Sequence, residues 1–251
     1  VGANSDDIYA RRINGAGVVQ WAANGVAISA VTGGQISPTI VSDGTGGAII
    51  TWRDLRSDIA WGDLYAQRVN GVGTVQWTAN GVAICTVLGY QLHPDIVSDG
   101  AGGAIIAWED GRSFIAEDIY AQRISAAGAV QWTAGGAAIS IAGVGQAFPR
   151  LLSDGAGGAI ITWKDYRGGS PHVDAERINA ASALLWLASG VRICTVPSLQ
   201  SAPAIVSDGA GGAIITWADS RNTIDNDIYA QRITPAGAAQ WAGSGVAVST
   251  A

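Results

Sequence analysis

Short apolar runs alternate with glycine-rich polar turns along the whole chain, and no stretch carries a helical period. Runs such as Ala48 to Trp52 (A-I-I-T-W) are apolar on both faces, which predicts strands covered on two sides. Runs such as D-I-Y-A-R-R-I at 7–13 alternate and are rich in β-formers, the mark of a half-buried strand. Between them stand S-D-G-x-G-G turns and N-G-x-G turns, where glycine and asparagine accept positive φ. Proline opens one strand of each set, as Q-x-x-P at Gln35/Pro38, Gln91/Pro94, Gln146/Pro149 and Gln200/Pro203. A first-residue proline costs a strand little, because the missing N–H is not needed there.

These elements recur at a fixed period. The aspartate of the S-D-G turn appears as Asp43, Asp99, Asp154 and Asp208, at spacings of 56, 55 and 54 residues. Each period holds two hairpins, or four short strands. Small four-stranded units repeated four or more times predict an all-β fold, a β-propeller of radially arranged blades. The repeats run approximately over 7–57, 63–113, 118–168 and 172–222, with a partial copy at 227–251, and together they predict one propeller domain. The inner hairpin (P-x-I-V-S-D-G … W) occurs four times and the outer one (D-I-Y … G-V-A-I) five times. About five blades are therefore expected, with one inner hairpin lacking. An open β edge invites association, so either a trimmed longer chain, a homo-oligomer completing the open blade, or an unfilled wedge is expected.

The unit P-x-x-x-S-D-G-x-x-x-x-I … D-x-R … D-I-Y resembles the WD40-like repeat of TolB-type β-propellers. That resemblance implies the P-x-I-V-S strand nearest the axis and the G-V-A-I strand outermost. The chain departs from the family in its S-D-G-x-G-G turn, its longer unit and its Q-W arm.

Composition narrows the function. Among 251 residues only 14 are Lys or Arg, with a single lysine at Lys164 and a net charge of −6. Phosphate backbones are held by clustered cations, so no nucleic acid partner is expected. No apolar run nears the ~20 residues a spanning helix needs, so no membrane insertion is expected. The absence of methionine suggests a processed or excised chain, and the expected localisation is secreted, periplasmic or cell surface. Cys85 and Cys194 occupy the same repeat position two units apart, where Ser29, Ser140 and Ser249 stand in other copies. That separation exceeds disulfide reach, which predicts two free buried thiols and no metal site.

The W-x-D-x-R motif is the most uniform polar feature: Asp54/Arg56, Asp110/Arg112, Asp165/Arg167 and Asp219/Arg221. Identical copies in every repeat suit loop-fixing hydrogen bonds and paired charges better than catalysis. The recurrent strand arginines Arg12, Arg68, Arg123, Arg177 and Arg232 are candidate partners for such aspartates. The paired carboxylates Glu117–Asp118, Asp6–Asp7 and Asp225/Asp227 read as solvated loop charges, and the two histidines have no triad partners. No catalytic residue, cofactor or metal is thus expected. Variable loops on a rigid frame usually carry function, and the loops flanking W-x-D-x-R and Q-x-x-P are the variable ones. They hold Trp61, Tyr90, His93, Phe114, Phe148, Tyr166 and His172 as candidate ligand contacts. The expectation is a non-catalytic binding or scaffold propeller for a protein or carbohydrate ligand. A lectin with one site per blade and a glycosidase- or lyase-like enzyme are the alternatives.

Overall fold

The computed structural model describes residues 6–57, 61–222 and 225–250 and contains no helix among them. Two outer strands, β1 (Ile8–Ala10) and β2 (Val26–Ser29), form a half-blade. Four complete antiparallel blades follow. Blade 1 is β3 (Gln35–Ser42), β4 (Ala48–Asp54), β5 (Asp63–Val69) and β6 (Val82–Cys85). Blade 2 is β7 (Gln91–Ser98), β8 (Ala104–Asp110), β9 (Asp118–Ile124) and β10 (Ala137–Ser140). Blade 3 is β11 (Gln146–Ser153), β12 (Ala159–Asp165), β13 (His172–Ile178) and β14 (Val191–Arg192). Blade 4 is β15 (Gln200–Ser207), β16 (Ala213–Asp219), β17 (Asp227–Ile233) and β18 (Val246–Ser249). Each blade runs in strand order, so the inner strands β3, β7, β11 and β15 meet their neighbours around the axis.

The second strands of blades 1 to 3 are buried on both faces because a unit packs on either side, whereas β16 of blade 4 alternates buried and half-buried positions. Ile49 joins the core between blades 1 and 2, whereas its neighbour Ile50 joins the core shared with the half-blade. The same division places Ile105 and Ile106 in different cores. Trp52, Trp108, Trp163 and Trp217 are almost wholly buried, each facing the preceding unit. Burying a large side chain contributes on the order of 2–3 kcal/mol.

Blades are also stitched by polar contacts at their turn end. Trp77 donates its indole N–H to Ala126 O of the next blade at 3.0 Å, and Trp132 does so to Ala180 O at 2.9 Å. Arg68 bonds Asp43 of its own S-D-G turn at 2.9 Å and reaches Ala126 O at 3.2 Å. The strand arginines therefore serve the S-D-G aspartates, not those of W-x-D-x-R. The Q-W arm expected as a hairpin strand contributes only single bridges, such as Val69 to Val75, because its tryptophan turns toward the next blade instead. Cys85 and Cys194 are free and buried.

Candidate functional site

Each W-x-D-x-R motif closes a local knot. Asp110 accepts from the Trp108 indole at 2.7 Å, from the Arg112 amide at 3.0 Å and from its guanidinium at 2.6 Å. The guanidinium then lies 3.7 Å over the Tyr120 ring. With its acceptors used inside the blade, this aspartate is a fastening for the loop. Burial opposes ionisation of Asp219, but Arg221, Ser198 and the Trp217 indole outweigh it and hold that carboxyl below its usual range.

Blade 3 departs from the pattern. Asp174 stands where the other blades have tyrosine, and it takes Arg167 at 2.5 Å. His172, expected at a loop surface, is 3% exposed within β13 and receives Arg192 at 2.6 Å. It cannot meet a ligand there. Asp165, His172 and Asp174 lie close enough to suggest a cation site, with ligand atoms within 4.8 Å of one another. Arg167 and Arg192 already supply the positive charge, so these groups form an ion-paired network suited to packing.

The chemistry gathers instead at the axial mouth of the variable-loop end. In every inner strand the pairing register slips at Q-x-x-P, as between Leu92 and Asp95 opposite Glu109 and Ala107. The residue before each proline takes up the slip with positive φ: Ser37 at 52°, His93 at 48°, Phe148 at 57° and Ala202 at 49°. Such bulges re-aim side chains and cluster at functional rims. Here the bulge brings His93 beside Glu109, the variable x of W-x-D-x-R. His93 Nδ1 lies 2.9 Å from Glu109 Oε1, and the same oxygen accepts the Phe148 amide of the next blade at 2.6 Å. The His93 ring lies 4.9 Å from the Phe148 ring, tilted by 49°. Glu109 is 4% exposed, while the His93 side chain is half exposed.

The two positions flanking each inner-strand proline and the x of W-x-D-x-R differ from blade to blade at this end. They are Ser37, Thr39 and Arg53, the last turned to the Trp61 carbonyl at 2.9 Å; His93, Asp95 and Glu109; Phe148, Arg150 and Lys164; then Ala202, Ala204 and Ala218. Apart from Arg53 the ionisable groups at these positions belong to blades 2 and 3, and blade 4 has three alanines, so the set does not repeat from blade to blade as one site per blade would. A cavity of about 210 Å³ is bounded by Ser37, Thr39, His93, Phe148 and Arg150. A second, of about 470 Å³, shares Phe148 and Arg150 and adds Lys164 and Ala202. Burial pushes the Asp95 carboxyl up, against the amides of Leu151 and Ile96 and the charge of Arg150.

The other aromatic candidates form a separate shelf between blades 1 and 2. Trp61 stacks on Tyr90 at 5.9 Å and meets the Phe114 edge at 5.7 Å. Tyr90 donates to Glu117 at 2.7 Å, and desolvation together with that bond raises its hydroxyl to about 12. Tyr166 carries the Lys164 ammonium 4.7 Å over its ring. Of the residues taken as loop charges, Asp118 and Asp227 lie in strands and Glu117 is engaged by Tyr90.

No family model and no curated protein matches this sequence. Solved structures do match. An ulvan lyase of a polysaccharide lyase family, bound to -[GlcA(1-4)Rha3S]-, aligns with a TM-score of 0.53 and 10% identity over 84% of this chain and 56% of that one. The α-L-arabinofuranosidase of Fusarium graminearum aligns at 0.50 and 11%, covering 85% of this chain and 68% of that one. An endo-arabinase of Bacteroides thetaiotaomicron aligns at 0.47 and 14%, covering 85% and 80%. The β-propeller expectation holds; the expectation of a non-catalytic binding or scaffold module is the one these comparisons speak against, since the structures aligned at 0.50 and 0.53 are an arabinofuranosidase and a lyase. The carboxylates weighed in the sequence were neighbours along the chain, whereas Glu109 meets His93 only across the β7–β8 ladder.

Proposed function

We propose that this chain cleaves an acidic polysaccharide at the axial mouth, by β-elimination next to a uronate carboxylate. The observation that carries the reading is the His93–Glu109 contact behind a cavity that His93 and Arg150 both line. A carboxylate accepting the Nδ1 proton leaves Nε2 as an acceptor, the arrangement of an oriented general base. Arg150 and Lys164 would bind the sugar carboxylate and stabilise the charge that develops as the neighbouring C–H is broken. His93 Nε2 takes that proton, a carbon–carbon double bond forms, and the glycosidic oxygen leaves. Asp95, two residues on from His93 and with its carboxyl pushed up by burial, is the group we assign to return a proton to that oxygen. Phe148 offers a ring face to the sugar. Hydrolysis by two facing carboxylates fits less well, since Glu109 is enclosed and engaged by His93 and Phe148.

The structures aligned at TM-scores of 0.50 and 0.53 are an arabinofuranosidase and an ulvan lyase, the latter with a glucuronate-containing ligand, and they support a carbohydrate as the substrate class. The repeat's likeness to the TolB type rests on short motifs and adds nothing about chemistry. Work on polysaccharide accords with a secreted or surface location, and no helix is long and apolar enough to cross a membrane.

Incubation with uronate-containing and neutral polysaccharides, read both by reducing ends and by ultraviolet absorbance of the new double bond, tests the reading. Absorbing product from the acidic polymer is expected, with kcat lowered about 10²–10⁴-fold in His93→Ala. New reducing ends without absorbance would make the chain a hydrolase, and no cleavage of either polymer would remove the enzymatic reading.

A further inference from the structure

The half-blade leaves a second feature unexplained, independent of the axial site. In the complete blades the third strand is paired on both sides, as β5 is by β4 and β6. β1 is paired by β2 alone, and its free edge borders a groove of about 660 Å³ lined by Tyr9, Arg12, Trp21, Ile40 and Ile50 among others.

Side chains that are buried elsewhere in the propeller are exposed on blade 1 beside this groove and on blade 4. Ile40 is 62% exposed, whereas its equivalents Ile96 and Leu151 are 6% and 7%. On the blade 4 side Val248 is 62% exposed against 3%, 1% and 3% for Ile84, Ile139 and Ile193. Trp186 donates to Pro235 O of the next blade at 3.0 Å, but Trp241 finds no such carbonyl among the described residues.

The polar groups at the edge specify what would fill it. Arg68, Arg123, Arg177 and Arg232 each bond the S-D-G aspartate of their own blade. Arg12 occupies the same position, contacts only Gly71 O at 3.0 Å, and has no carboxylate within reach among the described residues. Tyr65, Tyr120 and Tyr229 each pair with a blade tryptophan and lie under an arginine of W-x-D-x-R. Their equivalent Tyr9 has neither and is 55% exposed. Arg112 and Arg221 also reach Cys85 and Cys194 of the preceding blade, at 3.7 and 3.4 Å. Ser249 holds that place on blade 4 and is exposed.

We propose that the groove is the docking site of a β-hairpin of the chain's own inner type, P-x-I-V-S-D-G-x-G-G-A-I-I-x-W-x-D-x-R, supplied from outside residues 1–251. Its second strand pairs with β1 so that its tryptophan stands opposite Tyr9. Its S-D-G aspartate meets Arg12, and its terminal arginine lies over Tyr9 toward Ser249. Backbone pairing at a free sheet edge gives affinity, and the side-chain positions give specificity. The hairpin completes a fifth blade and covers both apolar walls.

A labelled synthetic peptide with the sequence of residues 90–113, titrated into the chain and followed by fluorescence anisotropy, tests this. Saturable one-to-one binding is expected. It should weaken about tenfold or more, a loss near 1.4 kcal/mol, when the peptide carries asparagine in place of Asp99 or the chain carries Arg12→Ala. The two losses should not add when combined, since both break one ion pair. The same segment fused ahead of Val1, compared with a scrambled fusion, gives a second readout: a raised Tm that Arg12→Ala reverses. Absence of saturable binding together with no Tm rise overturns the proposal. So does binding indifferent to both substitutions, or a dimer in light scattering that the peptide does not displace, which would give the face to a second copy.

Discussion

Asp43 sits in a turn, and its carboxylate ties that turn to β5. It accepts the Thr45 and Gly47 amides, each at 2.8 Å, and pairs with Arg68. Burial opposes its ionisation, but the Thr45 amide and hydroxyl, Arg68 and the Gly47 amide together take it down from 3.8 to about 2. A depressed carboxylate stabilises the folded state above the unfolded pKa and loses that contribution as pH falls toward the folded one. Thermal melts should therefore show Asp43 stabilising fully above about pH 4 and progressively less toward pH 2, with Asp43→Asn flattening that part of the profile. Gly81 shows a steric constraint at the same scale. Its φ is +91° and an added Cβ would lie 2.5 Å from the Trp52 ring. Gly81→Ala is expected to cost roughly 1–3 kcal/mol by overpacking, more with the backbone strain, measured by urea unfolding. Cys85 is buried with its thiol pushed up to about 11 by desolvation, so the folded protein should leave it unmodified by thiol reagents that label it in denaturant.

At the scale of the element, the repeat motifs fasten the frame and the positions between them carry the chemistry. The Asp110 knot is one such fastening: removing its charge leaves Arg112 unpaired. With Arg112 about one-fifth exposed, Asp110→Asn should cost about 2–3 kcal/mol, below the fully buried range, again read by urea unfolding. The inner hairpins, their turns and the buried W-x-D-x-R aspartates were legible in the sequence, because period and glycine placement fix them locally. The axial pair was not. Strict alternation puts His93 on the face opposite Leu92, and only the bulge turns it to Glu109. A usable signal did exist in the variable x of W-x-D-x-R, which runs Arg53, Glu109, Lys164 and Ala218 inside an otherwise uniform motif. His172 misled for a different reason. It follows a variable loop, yet it is the first residue of β13, and that position is buried in other blades too, as Asp118 at 4% and Asp227 at 3% show.

For the whole molecule, near-equal blades set a frame whose symmetry is broken at two places. One is the wedge beside β1, where a row of apolar side chains and Arg12 lack the partners their equivalents have. The other is the axial mouth, where blades 2 and 3 contribute His93, Asp95, Glu109, Arg150 and Lys164 and blade 4 contributes three alanines. A net charge of −6 makes the Arg150–Lys164 side of that mouth stand out as a local place for an anionic sugar. The most direct check is a crystal structure of the His93→Ala variant with a uronate-containing oligosaccharide. The account predicts one sugar chain across Phe148, its carboxylate on Arg150 or Lys164 and its reacting carbon facing position 93. Density on the Trp61–Phe114 shelf alone, or at the S-D-G end of the blades, would contradict it.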